Sequence, residues 1–327
     1  MKYLLLLFAL ALLSVLVLGI GRYPLEYHQI LEVLLSPFST QEFDERMRYI
    51  VLEVRLPRII LAIFVGASLG ICGASFQSIF KNPLASPDIL GVASGAGFGA
   101  ALAILLGLNI YYLTLFAFVF GILTLILVLL IVRDCNNRIM IILGGIIISA
   151  LFQSFISLLK YIADPQDALP AMTYWLLGSL NVSNFHQLLF CSLGMLVGGI
   201  IIFMYRWKHN LLMLDEMEAK SLGLNITALR IALIFASTLM VSCVVSICGI
   251  IGWVGLIIPH IARMIGGSNM NSVMPLSLLI GAIFMLIIDT LSRTLSAEEI
   301  PISILSAVVG ALFFVVILYR FKGVMKL

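Results

Sequence analysis

The sequence predicts an all-α polytopic membrane protein, a single transmembrane domain over residues 1–327 with about ten membrane helices. Three observations carry that prediction. Hydrophobic residues make up 62% of the chain and charged residues 11%, against about 45–50% and about 25% in soluble domains. Mean hydropathy is +1.17, an excess that no single water-soluble core can bury, so lipid must solvate much of the surface. The apolar residues fall in successive runs of about 20, the length that crosses a bilayer.

Lys2 followed by Tyr3–Leu18 has the charge-then-apolar order of a signal peptide, but no convincing small-x-small cleavage site follows and the rest of the chain is equally apolar. Tyr3–Ile20 is therefore read as the first span. Ile59–Phe80, Ile89–Leu108, Tyr111–Val132, Ile139–Tyr161, Phe185–Tyr205 and Leu229–Cys248 follow. Gly255–Ile265 is broken by Pro259 and too short to cross without help from its neighbours. Met274–Leu291 and Ile302–Phe321 complete the set.

With the N-terminus in the cytoplasm, twelve of the 19 Lys and Arg residues fall inside, the bias that the positive-inside rule requires. Two connections are long: Gly21–Pro57 outside and Arg206–Ala228 inside. Within the latter, Leu211–Leu222 mixes acidic, basic and apolar residues in a helix-compatible order, predicting a short amphipathic helix on the cytoplasmic surface; the plainer alternative is a solvated connector. Gly66-x-x-x-Gly70, Gly91-x-x-x-Gly95, Gly95-x-x-x-Gly99 and Gly194-x-x-x-Gly198 have the spacing that lets helix backbones approach closely. The Ala93–Ala101 stretch carries so little bulk that it also suits a helix bordering a path.

Several chemistries are excluded. The net charge is +3 without a basic cluster, so no nucleic-acid footprint exists. The five cysteines lack metal-ligand or disulfide spacing, and no cofactor or metal site is expected. There is no G-x-x-x-x-G-K-[ST] phosphate loop and no nucleophile–base arrangement, so the chain is not expected to hydrolyse ATP or to be an enzyme. Charges near spans need a reason. Arg55 and Arg58 flank Pro57 at the outer mouth, and Asp289 precedes Arg293 by four residues, the favourable order for a helical ion pair. An ion pair plus arginines snorkelling to the interface accounts for these as well as a functional role does. His260, after Pro259, is read as structural.

One series of motifs is more specific. Arg55-Leu-Pro-Arg58 leads into Gly66-Ala-Ser-Leu-Gly70 and Gly73-Ala-Ser-Phe-Gln77. Then come Asn82-Pro-Leu-Ala-Ser-Pro-Asp88, Leu90-Gly-Val-Ala-Ser-Gly-Ala96, the Gly249–Arg263 segment with its Pro259-His260, Asp289-Thr-Leu-Ser-Arg293, Glu299-Ile-Pro-Ile302 and Gly310. In this order, from Arg55 to the C-terminus, the sequence resembles the permease family of bacterial iron-siderophore, haem and vitamin B12 importers. The resemblance implies a vitamin B12 importer permease-like fold of ten helices in the cytoplasmic membrane, working as a homodimer. It also implies two ATP-binding subunits below and a substrate-binding protein outside. By the same resemblance Arg55, Arg58 and Arg293 receive acidic residues of the binding protein. The stretch holding Asp215, Glu216, Ala219, Leu222 and Gly223 couples to the ATPase, with Ala219 and Gly223 nearest the family pattern. An iron chelate is the expected cargo; cobalamin and molybdate or tungstate are alternatives, and an ion-coupled secondary transporter is a different class.

Overall fold

The structure is a computed structural model and describes residues 1–21, 23, 25–35, 44–132, 137–182, 185–223 and 225–321. Arg22, Arg133, Cys135, Lys322 and Lys326, which belong to the charge and cysteine patterns above, lie outside the described residues. Helices account for every regular element among the described residues. Seven are long and apolar enough to cross a bilayer, and three more are apolar but shorter, which matches the expected number of about ten.

α1 (Lys2–Gly19) is followed by α2 (Tyr27–Leu35) and α3 (Glu45–Tyr49). A π-helical stretch, Ile50–Arg55, then leads without a break into α4 (Leu56–Ile79). Two expectations are corrected here. The segment 21–57 is not simply an external loop, and the second span begins well before Ile59, because Glu45–Ile79 is one continuous helix of 35 residues. Pro57 does not break it. A proline removes one N–H donor, and the turn before it is wound to i→i−5 bonds, with Leu56 N–H donating to Val51 O.

A 3-10 turn (Pro87–Leu90) precedes α5 (Val92–Leu105), and α6 (Ile110–Val132), α7 (Arg138–Ile162), α8 (Ala168–Leu176) and α9 (Phe185–Met204) follow. Next come α10 (Arg206–Leu212), α11 (Glu216–Ser221) and α12 (Ile226–Cys248), then α13 (Val254–Gly266), α14 (Met270–Thr294) and α15 (Ile302–Phe321). α5 and α13 have 14 and 13 residues, about 20 Å of helix each, less than the ~30 Å hydrocarbon core. Around α13 the neighbouring backbone is completed by protein. The non-helical backbone between α12 and α13 meets the end of α8, where Ser179 N–H donates to Cys248 O at 2.8 Å. Ile302 N–H at the start of α15 donates to Gly178 O at 3.2 Å. Irregular backbone at membrane depth survives only with such partners.

α4 is the axis of the fold. A Cβ at Gly66 would collide with the Gly281 carbonyl of α14, and one at Gly73 with the Gly255 carbonyl of α13. The other spaced glycines serve other pairs in the same way. Gly91 meets Gly145 of α7, Gly95 and Gly99 face Thr124 and Phe116 of α6, and Gly194 and Gly198 face Cys243 and Met240 of α12. All four motifs therefore serve close packing. The two ends of the bundle are distinguishable from hydrogen bonds. Lys2 Nζ donates to Ile265 O and Tyr3 shares a hydrogen bond with Ser272, whereas Arg293 reaches Ile20 O at the other end of α1. This agrees with the alternation derived from Lys and Arg placement.

Candidate functional site

The residues singled out in the sequence gather at the two ends of α4. At the outer end, Arg58 opens α4 as a buried fork. Its Nε donates to Asp289 Oδ1 at 2.8 Å, and its Nη1 and Nη2 donate to Glu299 Oε1 and Oε2 at 2.9 and 3.0 Å. Asp289 is fully buried on α14 and accepts a second bond, from Arg293 Nε at 3.1 Å. Arg293 Nη1 also caps Ile20 O at 3.3 Å. Arg55 donates from Nη1 to Leu18 O and from Nη2 to Tyr23 O, both at 2.5 Å. The structure thus brings Arg55, Arg58 and Arg293 to one face, as the topology requires.

All three are largely buried rather than open to a partner. Arg55 and Arg58 are 5% and 4% exposed, and the Arg293 side chain is 10% exposed. The physical reason is that a charge at this depth is costly unless paired and hydrogen-bonded. Two carboxylates and three backbone carbonyls supply the partners here. The local Asp289–Arg293 pair is present, and Glu299 is the member that residue-by-residue reading missed. Its Glu-x-Pro setting carries no signal that it receives both Nη groups of a residue 241 positions away.

At the inner end the expected single helix over Leu211–Leu222 is corrected to two short ones. α10 ends at Leu212, and α11 begins at Glu216 after a turn. Asp215 supplies the first acceptor of α11, taking the Ala219 N–H at 2.9 Å. Ala219 is buried, whereas Asp215, Leu222 and Gly223 are exposed. Gly223 stands just past the helix at φ 76°, and a Cβ added there would meet nothing within 4 Å. This is the left-handed position that favours glycine after a helix C-terminus. The Glu216 side chain lies outside the described residues.

α10 and the turn that follows it are fastened to α4. Ser78 Oγ lies 2.6 Å from His209 Nδ1, and Ser78 also donates to Ser75 O at 2.8 Å. With its one proton committed there, the Ser78 oxygen accepts from His209 Nδ1–H. Burial pushes the His209 imidazole down to about 3, so it is neutral. Lys81 Nζ donates to Leu214 O at 2.5 Å. Lys81 sits at φ 50° in a helix-ending turn closed by Lys81 N–H to Ser78 O and Asn82 N–H to Gln77 O, a place where glycine is the usual occupant. Asn210 adds a link to α14, its Oδ1 accepting from Met270 N–H at 2.8 Å. Sequence reading missed His209, Ser78 and Lys81, because nothing in a polar loop marks which side chain turns inward.

His260 lies 6.1 Å from the rings of Phe313 and Phe314, a packing role. No group of three metal-ligating side chains occurs among the described residues.

Comparison with known proteins agrees with this architecture. The model of the FecCD transport family matches residues 6–320. The molybdate import system permease protein MolB of Haemophilus influenzae is 45% identical over 315 residues, 96% of this chain and 94% of that protein. A probable iron chelatin transport system permease protein of Helicobacter pylori is 38% identical over 321 residues, 97% of each chain. Among solved structures, an inward-facing putative metal-chelate type ABC transporter superposes with a TM-score of 0.89 at 43% identity, covering 98% of this chain and 99% of that one. PsaBC of Streptococcus pneumoniae, at TM-score 0.58 and 20% identity over 81% of this chain and 90% of that one, shares the fold alone. The relatives are permease subunits, which are not themselves enzymes. A multi-pass bundle with this helix order, matched from end to end, belongs to the FecCD transport family, and the chain is a permease subunit of an ABC importer.

Proposed function

We propose that the chain works as one half of a homodimeric permease that passes a metal-containing anion from a binding protein outside to the cytoplasm. Two ATP-binding subunits would drive it from the cytoplasmic side. The observation that carries the reading is the fastening of α10 and the turn leading into α11 to the inner end of α4. Asp215, Leu222 and Gly223 are exposed toward a partner, while His209 and Leu214 anchor the same segment to the helix that runs through the bundle to Arg58. A push on α11 is thereby passed to α4 and, through the Arg58–Asp289 pair, to α14. Glu216 belongs to the same proposed coupling surface.

The binding protein would dock at the outer end around Arg55, Arg58 and Arg293. In this reading Arg293 makes the direct contact, and the two buried arginines position the rim. For cargo, a molybdate-type oxyanion is the first reading, supported by 45% identity to MolB along nearly all of both chains. An iron chelate is the second, supported by the 38% identical Helicobacter protein. Uptake by proteoliposomes holding the complete transporter decides between them. Labelled molybdate accumulating with its binding protein and ATP, and labelled ferric chelate not, supports the first; the reverse supports the second; ATP-independent entry of either opposes the whole proposal.

A further inference from the structure

A groove of about 380 Å³ opens between α9 and α4. Phe64, Ala67 and Ile71 of α4 form one wall, and Met195, Gly199 and Phe203 of α9 the other. The α9 wall runs from Met195 to Met204, about 14 Å at 1.5 Å per residue. That is about half of a ~30 Å hydrocarbon core, the depth of one leaflet. The groove is open sideways: Leu196, Ile200 and Met204 on its lip are all among the exposed apolar residues.

Its inner mouth is cationic. The Arg206 guanidinium lies 4.6 Å over the ring of Phe203, the residue that lines the groove, and Arg206 Nη1 donates to Phe203 O at 3.2 Å. Lys208 Nζ stands 4.6 Å from the Tyr205 ring and 5.7 Å from the Trp207 ring. Both cations are partly exposed. Among the described residues neither forms an ion pair, although ion pairs are formed elsewhere by Arg58 and Arg293. Tyr205 and Trp207 add the aromatic rings that favour the membrane–water boundary. An apolar slot one leaflet deep, with two cations at the headgroup level that form no ion pair among the described residues, matches an anionic phospholipid in both its parts.

We propose that this groove is a binding site for an anionic phospholipid of the cytoplasmic leaflet, its acyl chain between α4 and α9 and its phosphate at Arg206 and Lys208. Its cations share α10 with His209, but the proposal does not rest on the coupling or docking readings. It gives the α4–α9 seam a lipid filler that the helices do not supply themselves.

The test uses the full chain in nanodiscs, with bound lipid read by native mass spectrometry against phosphatidylglycerol and phosphatidylcholine of equal chain length. The expected preference for phosphatidylglycerol is about 30-fold, two basic side chains each attracting the anionic headgroup. Arg206→Gln with Lys208→Gln should remove that preference; both positions are surface ones, so folding is retained. Gly199→Leu should lower occupancy by either lipid. A Cβ there meets only the flexible Met240 Cε at 3.4 Å, so the new side chain enters the groove rather than backbone. Equal binding of the two lipids by the unaltered chain, or a preference that survives the double substitution, overturns the proposal. So does inorganic phosphate displacing nothing from the groove while protecting Arg206 and Lys208 equally well, since that assigns the cations to a free anion. Efficient cross-linking of Ile200→Cys to a second copy would assign the groove to a protein contact and also overturn it.

Discussion

Replacing Arg58 with methionine removes three hydrogen bonds and one full charge from the outer end of α4. The cost can be worked from its two partners. Glu299 keeps 39% of its side chain in contact with solvent, so its release is cheap, at most about 1 kcal/mol. Asp289 is fully buried, and it is left with Arg293 alone. Removing one member of a buried ion pair costs about 3–5 kcal/mol, so Arg58→Met should fall in that range. The assay is chemical unfolding of the purified chain in mixed micelles, with Arg58→Met, Asp289→Leu and the double variant in one cycle. Removing both charges leaves no stranded carboxylate at Asp289, so the double variant should be less damaged than the two single costs combined, with a coupling of about 2–3 kcal/mol. A loss below about 1 kcal/mol in Arg58→Met, or strict additivity in the cycle, would refute the idea that this arginine holds α4 to α14.

Gly223→Val places a β-branched residue at φ 76°, so it should shift the end of α11 and lower ATPase association and uptake while insertion stays normal; unchanged association counts against the coupling surface. His209 is held neutral with its imidazole pushed down to about 3, against about 6.5 when unfolded. Its contribution is therefore complete above pH 6.5 and declines as pH falls from 6.5 toward 3, about 2 kcal/mol by pH 5. His209→Phe should flatten that part of the stability–pH curve, and an unaltered slope would show that another group is responsible. Arg293→Glu should weaken docking of the binding protein in a salt-sensitive way, and an acid-to-base change on the binding protein should restore it; failure of every such change removes Arg293 from the docking surface.

Much of the fold is readable in the sequence because lipid imposes one rule, that each crossing segment be apolar for about 20 residues. Tyr111–Val132 and Phe185–Tyr205 fall within a residue or two of α6 and α9 for that reason. The failures lie where charge or glycine makes a helix look like its end. Glu53, Arg55, Pro57 and Arg58 read as a polar boundary, yet they continue a helix because α14 and the α14–α15 connection neutralise Arg58 and the end of α1 caps Arg55. The Gly- and Ala-rich run after Ile89 reads as a full span, but only 14 residues of it are α-helical. The arginines at the outer end are visible by type and position, whereas the burial of Arg58 depends on Asp289 and Glu299, 231 and 241 positions away. His209 is not visible at all, since its role comes from Ser78 across the bundle. Gly223 is the most legible single residue, because a glycine after a short helical run has a backbone reason to be there.

If this chain is the membrane half of an ATP-driven importer whose inner loop takes its energy from a separate subunit, hydrolysis and transport must appear together and only in the assembled system. ATP hydrolysis and cargo uptake are therefore measured side by side in proteoliposomes, with and without the ATP-binding subunit and the loaded binding protein. The expected result is no hydrolysis by the chain alone, and uptake only when both partners and ATP are present. Hydrolysis by the isolated chain, or uptake driven by an ion gradient without the ATP-binding subunit, would contradict it.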